Sequence, residues 1–581
     1  MSESGTTPPE GTTTSPGPGG SAATPAVSRP HGVARRVFYP ASGIVLVFVL
    51  VALALPDWLN SVLGTANTVV VNSIGWYYVL TVTGFVLLAL WIAFSKLGDV
   101  RLGRDDERPE YDTFSWFAML FAAGMGIGLV FWGVAEPLNH YAAPPPGQEG
   151  PPAQLAQGAL MTTFLHWGLH AWAIYIVVGL AVAHVVHRRR RPVALRWALE
   201  PIIGTRRASG GWGDVVDIVA IVGTVFGVAT SLGFGVVQVG SGLDYLGILD
   251  ISPTVLVVLI LVIAGMAAIS VATGLDAGIR WLSNINLVLA AVLLLAVLLL
   301  GPSLFVMREF VQSIGAYLQN IVRLSFSTLP YQGAQGEEWL AGWTTYYWGW
   351  WMSWSPFVGI FIARISRGRT VREFIIGVLL VPTLVTFLWF SVMGGTALYR
   401  QLFGDGGLIT GEGQVNNNTA LFQMLEGLPG GPVLSGLAIL LVTIFFVTSS
   451  DSGSYVVSML STGGDPNPPL AVRLTWAVLT GAIAAVLLGS GGSTGGLGAL
   501  QTMAILVAAP FSVVMIAMCV ALVRSLRQDV ERAERRRRTE IRERLVAAVV
   551  EEVGGGEEGP IRPIESSGPL AKLFSRGPRR T

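Results

Sequence analysis

Apolar residues run along this chain in blocks too long for a soluble core. No Asp, Glu, Lys or Arg interrupts 37–56, 58–95, 150–187, 281–307, 374–399 or 427–450. A helix that crosses a bilayer needs about 20 apolar residues, so each block can hold one. The run 474–523 is charge-free for 50 residues, and its middle, Gly-Ser-Gly-Gly-Ser-Thr-Gly-Gly at 489–496, is a turn signal that splits it in two. The pattern predicts twelve segments, near 39–59, 68–96, 113–139, 155–186, 214–243, 254–273, 279–301, 338–364, 371–399, 432–461, 470–489 and 498–524. Long apolar runs, not ten-residue alternating ones, argue for helices rather than a β-barrel.

Composition narrows the class. Of 581 residues, 52% are hydrophobic and 13% charged, with a mean hydropathy of +0.60; soluble domains carry about 25% charged residues. This excludes a soluble enzyme, a nucleic-acid binder and a disordered chain, and leaves an all-α polytopic membrane protein. A net charge of +1 sets up no global field for an anionic partner, and the single cysteine, Cys519, allows neither an intramolecular disulfide nor a thiolate metal cage. Residues 1–34 open on Pro, Gly, Thr and Ser and are expected to be a disordered tail with no signal-peptide pattern. The tail from 526 to 581 carries a helical stretch at 527–552 in which eight Arg alternate with Glu531, Glu534, Glu540 and Glu543, followed by a glycine break at 554–556.

Lys and Arg near segment ends set orientation. With the N-terminus inside, the internal loops hold Arg35 and Arg36; Arg101, Arg104 and Arg108; Arg188 to Arg191, Arg196, Arg206 and Arg207; and Arg364, Arg367, Arg369 and Arg372. The external loops at 140–153, 244–253 and 490–497 hold none, and 302–337 holds Arg308 and Arg323. Both termini are therefore expected in the cytoplasm, with the protein in the cell membrane. The external stretch 302–326 predicts a surface helix, with Phe305, Phe310, Ile314, Leu318 and Ile321 at helical spacing.

Two places depart from plain helix. Segment 3 contains Gly124-Met125-Gly126-Ile127-Gly128, and segment 8 contains Pro356 and Gly359. Glycine weakens a helix, and proline removes a backbone donor. Two interrupted helices at equivalent places in two halves suggest a transporter of inverted repeats, segments 3–7 and 8–12, with segments 1 and 2 added. The alternative for the glycines is close packing between helices. Aromatic residues gather beside these points: Trp167, Trp172 and Tyr175 on a stripe of segment 4, and Trp350, Trp351 and Trp354 on one face of segment 8. Single rings can belong to interfacial belts or packing, but two clusters beside a broken helix suit a cage that binds quaternary ammonium by cation–π attraction.

Three strings are more specific: Gly-Met-Gly-Ile-Gly-Leu; His166-Trp167-Gly168-Leu169-His170-Ala171-Trp172-Ala173-Ile174-Tyr175; and Trp350-Trp351-Met352-Ser353-Trp354-Ser355-Pro356-Phe357-Val358-Gly359, followed by Arg364-Ile365-Ser366-Arg367-Gly368-Arg369-Thr370. Over roughly 35–525 the chain resembles the betaine/choline/carnitine transporter family, most of all its sodium-coupled glycine betaine importers. The resemblance implies a twelve-helix, LeuT-like fold in which 113–301 and 338–525 are two five-helix inverted repeats, 35–112 holds two extra helices and 302–337 the surface helix. It also implies a homotrimer. Position by position, it assigns Trp167, Trp172, Tyr175 and Trp351 to the ammonium box, Trp350 and Trp354 to the substrate path, and Gly124, Met125, Gly126 and Gly128 to the substrate-binding bend. Some choline-importing relatives carry an acid at the position of Gly128, so its absence here leans towards a zwitterion such as betaine.

The resemblance further implies a sodium site from the hydroxyls of Thr448 and Ser449, the Phe445 carbonyl, and carbonyls at Ala122 and Met125. The hydroxyls could instead bond back to the preceding turn. A second sodium site would use Thr224 and the Phe357 ring, but its other threonine is replaced by Val228, and Thr230 points about 200° away. Sodium is the coupling ion in this reading, and no other cofactor is expected. Asp451 and Glu136 are read as helix-end or ion-pair acids. The six histidines are not expected to converge with acids, and His166 and His170, four residues apart, lack a carboxylate in their own segment. The basic tail could meet anionic lipid and report osmotic stress, or be a solvated helix with internal Glu–Arg pairs. The expected activity is sodium-driven import of a quaternary-ammonium solute. The alternatives are proton-coupled or exchange transport of choline, carnitine or ectoine on the same fold, and an osmotically gated channel.

Overall fold

A computed structural model describes residues 32–124, 126–273, 276–490 and 492–554. The expectations for residues 1–31, Met125 and the tail beyond 554 lie outside the described residues. Among those described, ten helices are long and apolar enough to cross a membrane. Two further crossings complete twelve: segment 3, in halves of 12 and 16 residues, and the Trp- and Tyr-rich segment 8. The sole β pairing among them is an isolated bridge between Arg101 and Thr370.

Segment 1 is Arg35–Ala54 and segment 2 is Pro56–Phe94. Their joint falls at Leu55, not between 59 and 68 as the pattern suggested. Pro56 fits the first helical position and pushes the residue before it out of helical geometry, and Leu55 sits at φ −139°, ψ 57°. Segment 3 is broken as expected: Thr113–Gly124 stops, Gly126 is extended, and the helix resumes as Ile127–Ala142. Segment 4 is broken too, which the sequence did not announce. Pro152–Trp167 and Leu169–Ala183 meet at Gly168, where a Cβ would lie 2.5 Å from the Phe164 carbonyl oxygen and 2.7 Å from Phe387.

Segment 8, Thr344–Ile365, runs unbroken through Pro356, against expectation. The carbonyl that Pro356 cannot reach, four residues back, is that of Met352, and the Ser355 hydroxyl donates to it at 2.7 Å. Gly359 serves packing instead: a Cβ there would sit 2.9 Å from the Gly179 nitrogen on segment 4.

The remaining crossings are Gly211–Tyr245, Pro253–Thr273, Asp276–Leu300, Val371–Phe403, Gly431–Ser461, Leu470–Ser490 and Gly492–Gly554, as segments 5, 6, 7, 9, 10, 11 and 12. Their pairing repeats when five is added to each number. Segment 4 packs on 8 as 9 packs on 3, 5 on 12 as 10 on 7, and 5 on 11 as 10 on 6. Segments 5 and 10, and 6 and 11, pack on each other.

The surface helix is Ser303–Ser325, lying on segments 4 and 9. Phe305, Phe310, Ile314 and Ile321 are half-buried, but Leu318 is 58% exposed, on a second apolar stripe with Leu304, Met307, Val311 and Val322. At the arginine-rich end, loops and tail lock together. Arg188 bonds Asp105 at 2.8 Å and Asp529 at 2.9 Å, His184 meets Asp529 at 2.8 Å, and Lys96 pairs with Glu534 at 3.1 Å. Nearby, the Arg104 backbone N–H and the Arg367 guanidinium hold the Glu107 carboxyl below the usual carboxylate range. The charged tail is therefore the continuation of segment 12, without a joint, and its first turns are anchored.

Candidate functional site

The two broken helices and segment 8 face one another around a cavity of about 30 Å³. Its lining holds Gly126 and Gly128 from the bend of segment 3, Trp167, Trp172 and Tyr175 from segment 4, and Trp350, Trp351 and Trp354 from segment 8. Among the described residues, no charged side chain is in the lining. The two aromatic clusters named from sequence thus meet in one place. Trp167 stands edge-on to Trp351 with centroids 4.8 Å apart, and Tyr175 stands edge-on to Trp351 at 6.3 Å. Trp172 packs edge-on to Tyr175 at 5.3 Å, while Trp350 and Trp351 stack at 4.6 Å. Aromatic rings gathered around one space suit a cation without hydrogen-bonding protons.

Close packing sets the residue types in the bend. A Cβ on Gly128 would lie 2.7 Å from Trp350 Cη2 and 3.0 Å from Trp167 Cη2, so only glycine leaves both rings in place. At Gly126 the same atom would meet Trp354 Cη2 at 3.7 Å, an ordinary contact. Gly124 and Ala122 close the first half-helix. Ile127 begins a new helix and lines the cavity, and the first N–H groups of a helix have no partner within its regular ladder.

Of the residues assigned to sodium, Ser449 lines the cavity. The Thr448 hydroxyl is 3.0 Å from the Ile444 carbonyl oxygen and 3.2 Å from that of Phe445, and accepts from Asn286 Nδ2 at 3.2 Å. Thr224 donates to the Ala220 carbonyl at 2.7 Å, and Phe357 packs edge-on against Trp354. Thr230 donates to the carbonyls of Phe226 and, on segment 12, Leu500, consistent with its pointing away from Val228. Asp451 is ion-paired with Arg473 at 3.5 Å and accepts from Ser270 at 2.9 Å.

One expectation is overturned. Histidines and an acid do converge, because segments 3, 4 and 8 each contribute. Glu136 is fully buried: its Oε1 lies 2.8 Å from His166 Nδ1 and 3.3 Å from His140 Nε2, and its Oε2 accepts from Trp167 Nε1 at 2.6 Å and from the Tyr347 hydroxyl. Of the two roles expected for it, Glu136 lies inside its helix and not at the end, and its histidine partners are those of an ion-pair acid, in a hub behind the aromatic wall. Glu136 and His140 are four apart on segment 3, a spacing the sequence does show, but His166, Trp167 and Tyr347 join them from segments 4 and 8 only on folding. The same holds for Ser231 and Thr386, which also line the cavity.

A cavity walled by rings between two broken helices, inside twelve apolar crossings, defines a multi-pass membrane transporter rather than an enzyme. The chain belongs to the betaine/carnitine/choline transporter family, whose sequence profile matches residues 36–531. It is 45% identical to the glycine betaine transporter of Bacillus subtilis over 86% of this chain and 96% of that protein. It is 42% identical to glycine betaine transporter 1 of Vibrio parahaemolyticus over 85% of this chain and 94% of that one. An uncharacterised transporter of Mycobacterium tuberculosis is 50% identical over 85% and 82% of the two chains. Family membership implies a small quaternary-ammonium substrate.

Proposed function

We propose that this protein imports glycine betaine by sodium symport across the cell membrane. The observation that carries the reading is the uncharged cavity walled by Trp167, Trp172, Tyr175 and Trp351 and closed by Gly126 and Gly128. The trimethylammonium group sits among the rings. The carboxylate meets the free N–H groups where Ile127 opens its half-helix, as anions do at helix N-termini. A sodium ion is held by the Ser449 and Thr448 hydroxyls and the carbonyls of Phe445, Ala122 and Met125, which are hard oxygen donors. The Thr448 hydroxyl can keep donating to the preceding turn while an oxygen lone pair meets the ion. Thr224 and Phe357 belong to a second sodium site only if another oxygen replaces the side chain absent at Val228.

Both termini lie in the cytoplasm, and the anchored basic tail meets anionic lipid and adjusts transport to osmotic stress. The exposed stripe of the surface helix, Leu304, Met307, Val311, Leu318 and Val322, packs between copies of a homotrimer. Proteoliposomes carrying the full chain test the transport reading, with labelled betaine, choline, carnitine and ectoine under separate sodium and proton gradients. Sodium-driven accumulation of betaine is expected. Accumulation driven only by protons, exchange without net uptake, or non-saturable flux would each overturn symport with sodium.

A further inference from the structure

Two tryptophans of the box are held in different ways. The Trp351 indole N–H donates to a neutral acceptor, the His166 backbone carbonyl, at 2.8 Å. The Trp167 indole N–H donates to the Glu136 side chain at 2.6 Å. Donors surround both oxygens of Glu136. With neutral imidazoles, His166 donates from Nδ1 and takes the Thr344 hydroxyl at Nε2, and His140 donates from Nε2. Two histidine nitrogens on one oxygen, with Trp167 and Tyr347 on the other, suit a carboxylate. They also leave no open position for a metal ion, although the Glu136, His140 and His166 ligand atoms lie within 4.8 Å of one another.

We infer that Glu136 is a specificity-determining residue for the cationic end of the substrate, acting through the rings of Trp167 and Tyr347. Hydrogen bonding to an anion pulls the N–H proton outward and leaves electron density on the indole, so the ring face becomes more negative. Cation–π attraction is electrostatic and grows with that density, above all where water is excluded. Tyr347 donates to the same oxygen and stacks on Trp350 at 6.2 Å and Trp351 at 5.7 Å, so a ring packed behind those two wall rings is polarised with it. The buried negative charge also offsets the cost of taking the ammonium out of water. A neutral group of the same shape gains from none of this. The inference rests on the quaternary-ammonium reading above.

The test compares betaine with its carbon isostere 3,3-dimethylbutanoate, in which a tert-butyl group replaces trimethylammonium. Tryptophan fluorescence titration and competition against betaine uptake give both affinities for the full chain. Wild type should prefer betaine. Glu136→Gln should weaken betaine about tenfold, equal to about 1.4 kcal/mol, while the isostere moves by less than about twofold. Equal losses for both ligands would make Glu136 purely structural and overturn the inference. If the variant does not insert, Trp167→Phe and Trp351→Phe decide the matter, since only Trp167 is bonded to the charge. Trp167→Phe should lose at least about threefold more of the betaine preference; equal losses refute the inference. A wild type that binds neither betaine nor choline would instead bring down the substrate reading itself.

Discussion

Gly128→Ala is the smallest change that should disable the site. One methyl at this position would stand 2.7 Å from Trp350 Cη2 and 3.0 Å from Trp167 Cη2, distances at which atoms must move. Neither ring can simply swing away. The Trp167 N–H is fixed to Glu136, and Trp350 is stacked on Trp351 at 4.6 Å. Overpacking a rigid site costs about 1–3 kcal/mol. If that strain falls on the bound state, affinity drops roughly five- to 150-fold. The assay is the half-saturation concentration for betaine uptake in proteoliposomes, beside Gly126→Ala, whose methyl would meet only Trp354 at 3.7 Å. The control should change affinity by less than about threefold. If Gly128→Ala transports betaine with wild-type affinity, the rings are free to move and the site is not built by close packing at the bend.

Trp351→Leu should weaken betaine about thirtyfold, about 2 kcal/mol for a desolvated cation–π face; an unchanged half-saturation concentration removes Trp351 from the box. Thr448→Ala combined with Ser449→Ala should abolish sodium dependence, and a steep rise of uptake with sodium in that variant would mark the hydroxyls as structural. Val228→Thr should raise the Hill coefficient for sodium; a wild-type value already near two, unmoved by the change, shows that a second site forms without this side chain. Deleting 540–581, which spares the Asp529 anchor to Arg188 and His184, should leave transport intact and shift its activation by osmolality; an overlaid osmolality profile clears the tail of sensing.

The crossings were legible because a bilayer imposes a length, and length can be counted. The box was legible because its aromatic residues cluster within a few positions of one another in segments 4 and 8. Other features depended on atoms that sequence spacing does not place. Pro356 promised a break, but the hydroxyl of the residue before it took the orphaned carbonyl of Met352. Gly168 looked like one small residue inside a long apolar run, and its break shows only when Phe164 and Phe387 are seen crowding it. Glu136 lies 30 residues from His166 and 211 from Tyr347, so its partners appear together only once segments 3, 4 and 8 are packed.

The break at Gly168 has a mechanical consequence. Trp167 ends one half of segment 4, while Trp172 and Tyr175 ride on the other. A cation held by all three rings would work as a clasp across a joint. It fixes the angle between the half-helices, and any change in that angle pulls the rings from their common focus. Whatever tilts one half against the other must loosen the grip, and a tightly held cation must resist the tilt. Affinity and the position of the joint are in that sense one variable, and the release of cargo can be set by geometry alone, with no group at the site changing its chemistry.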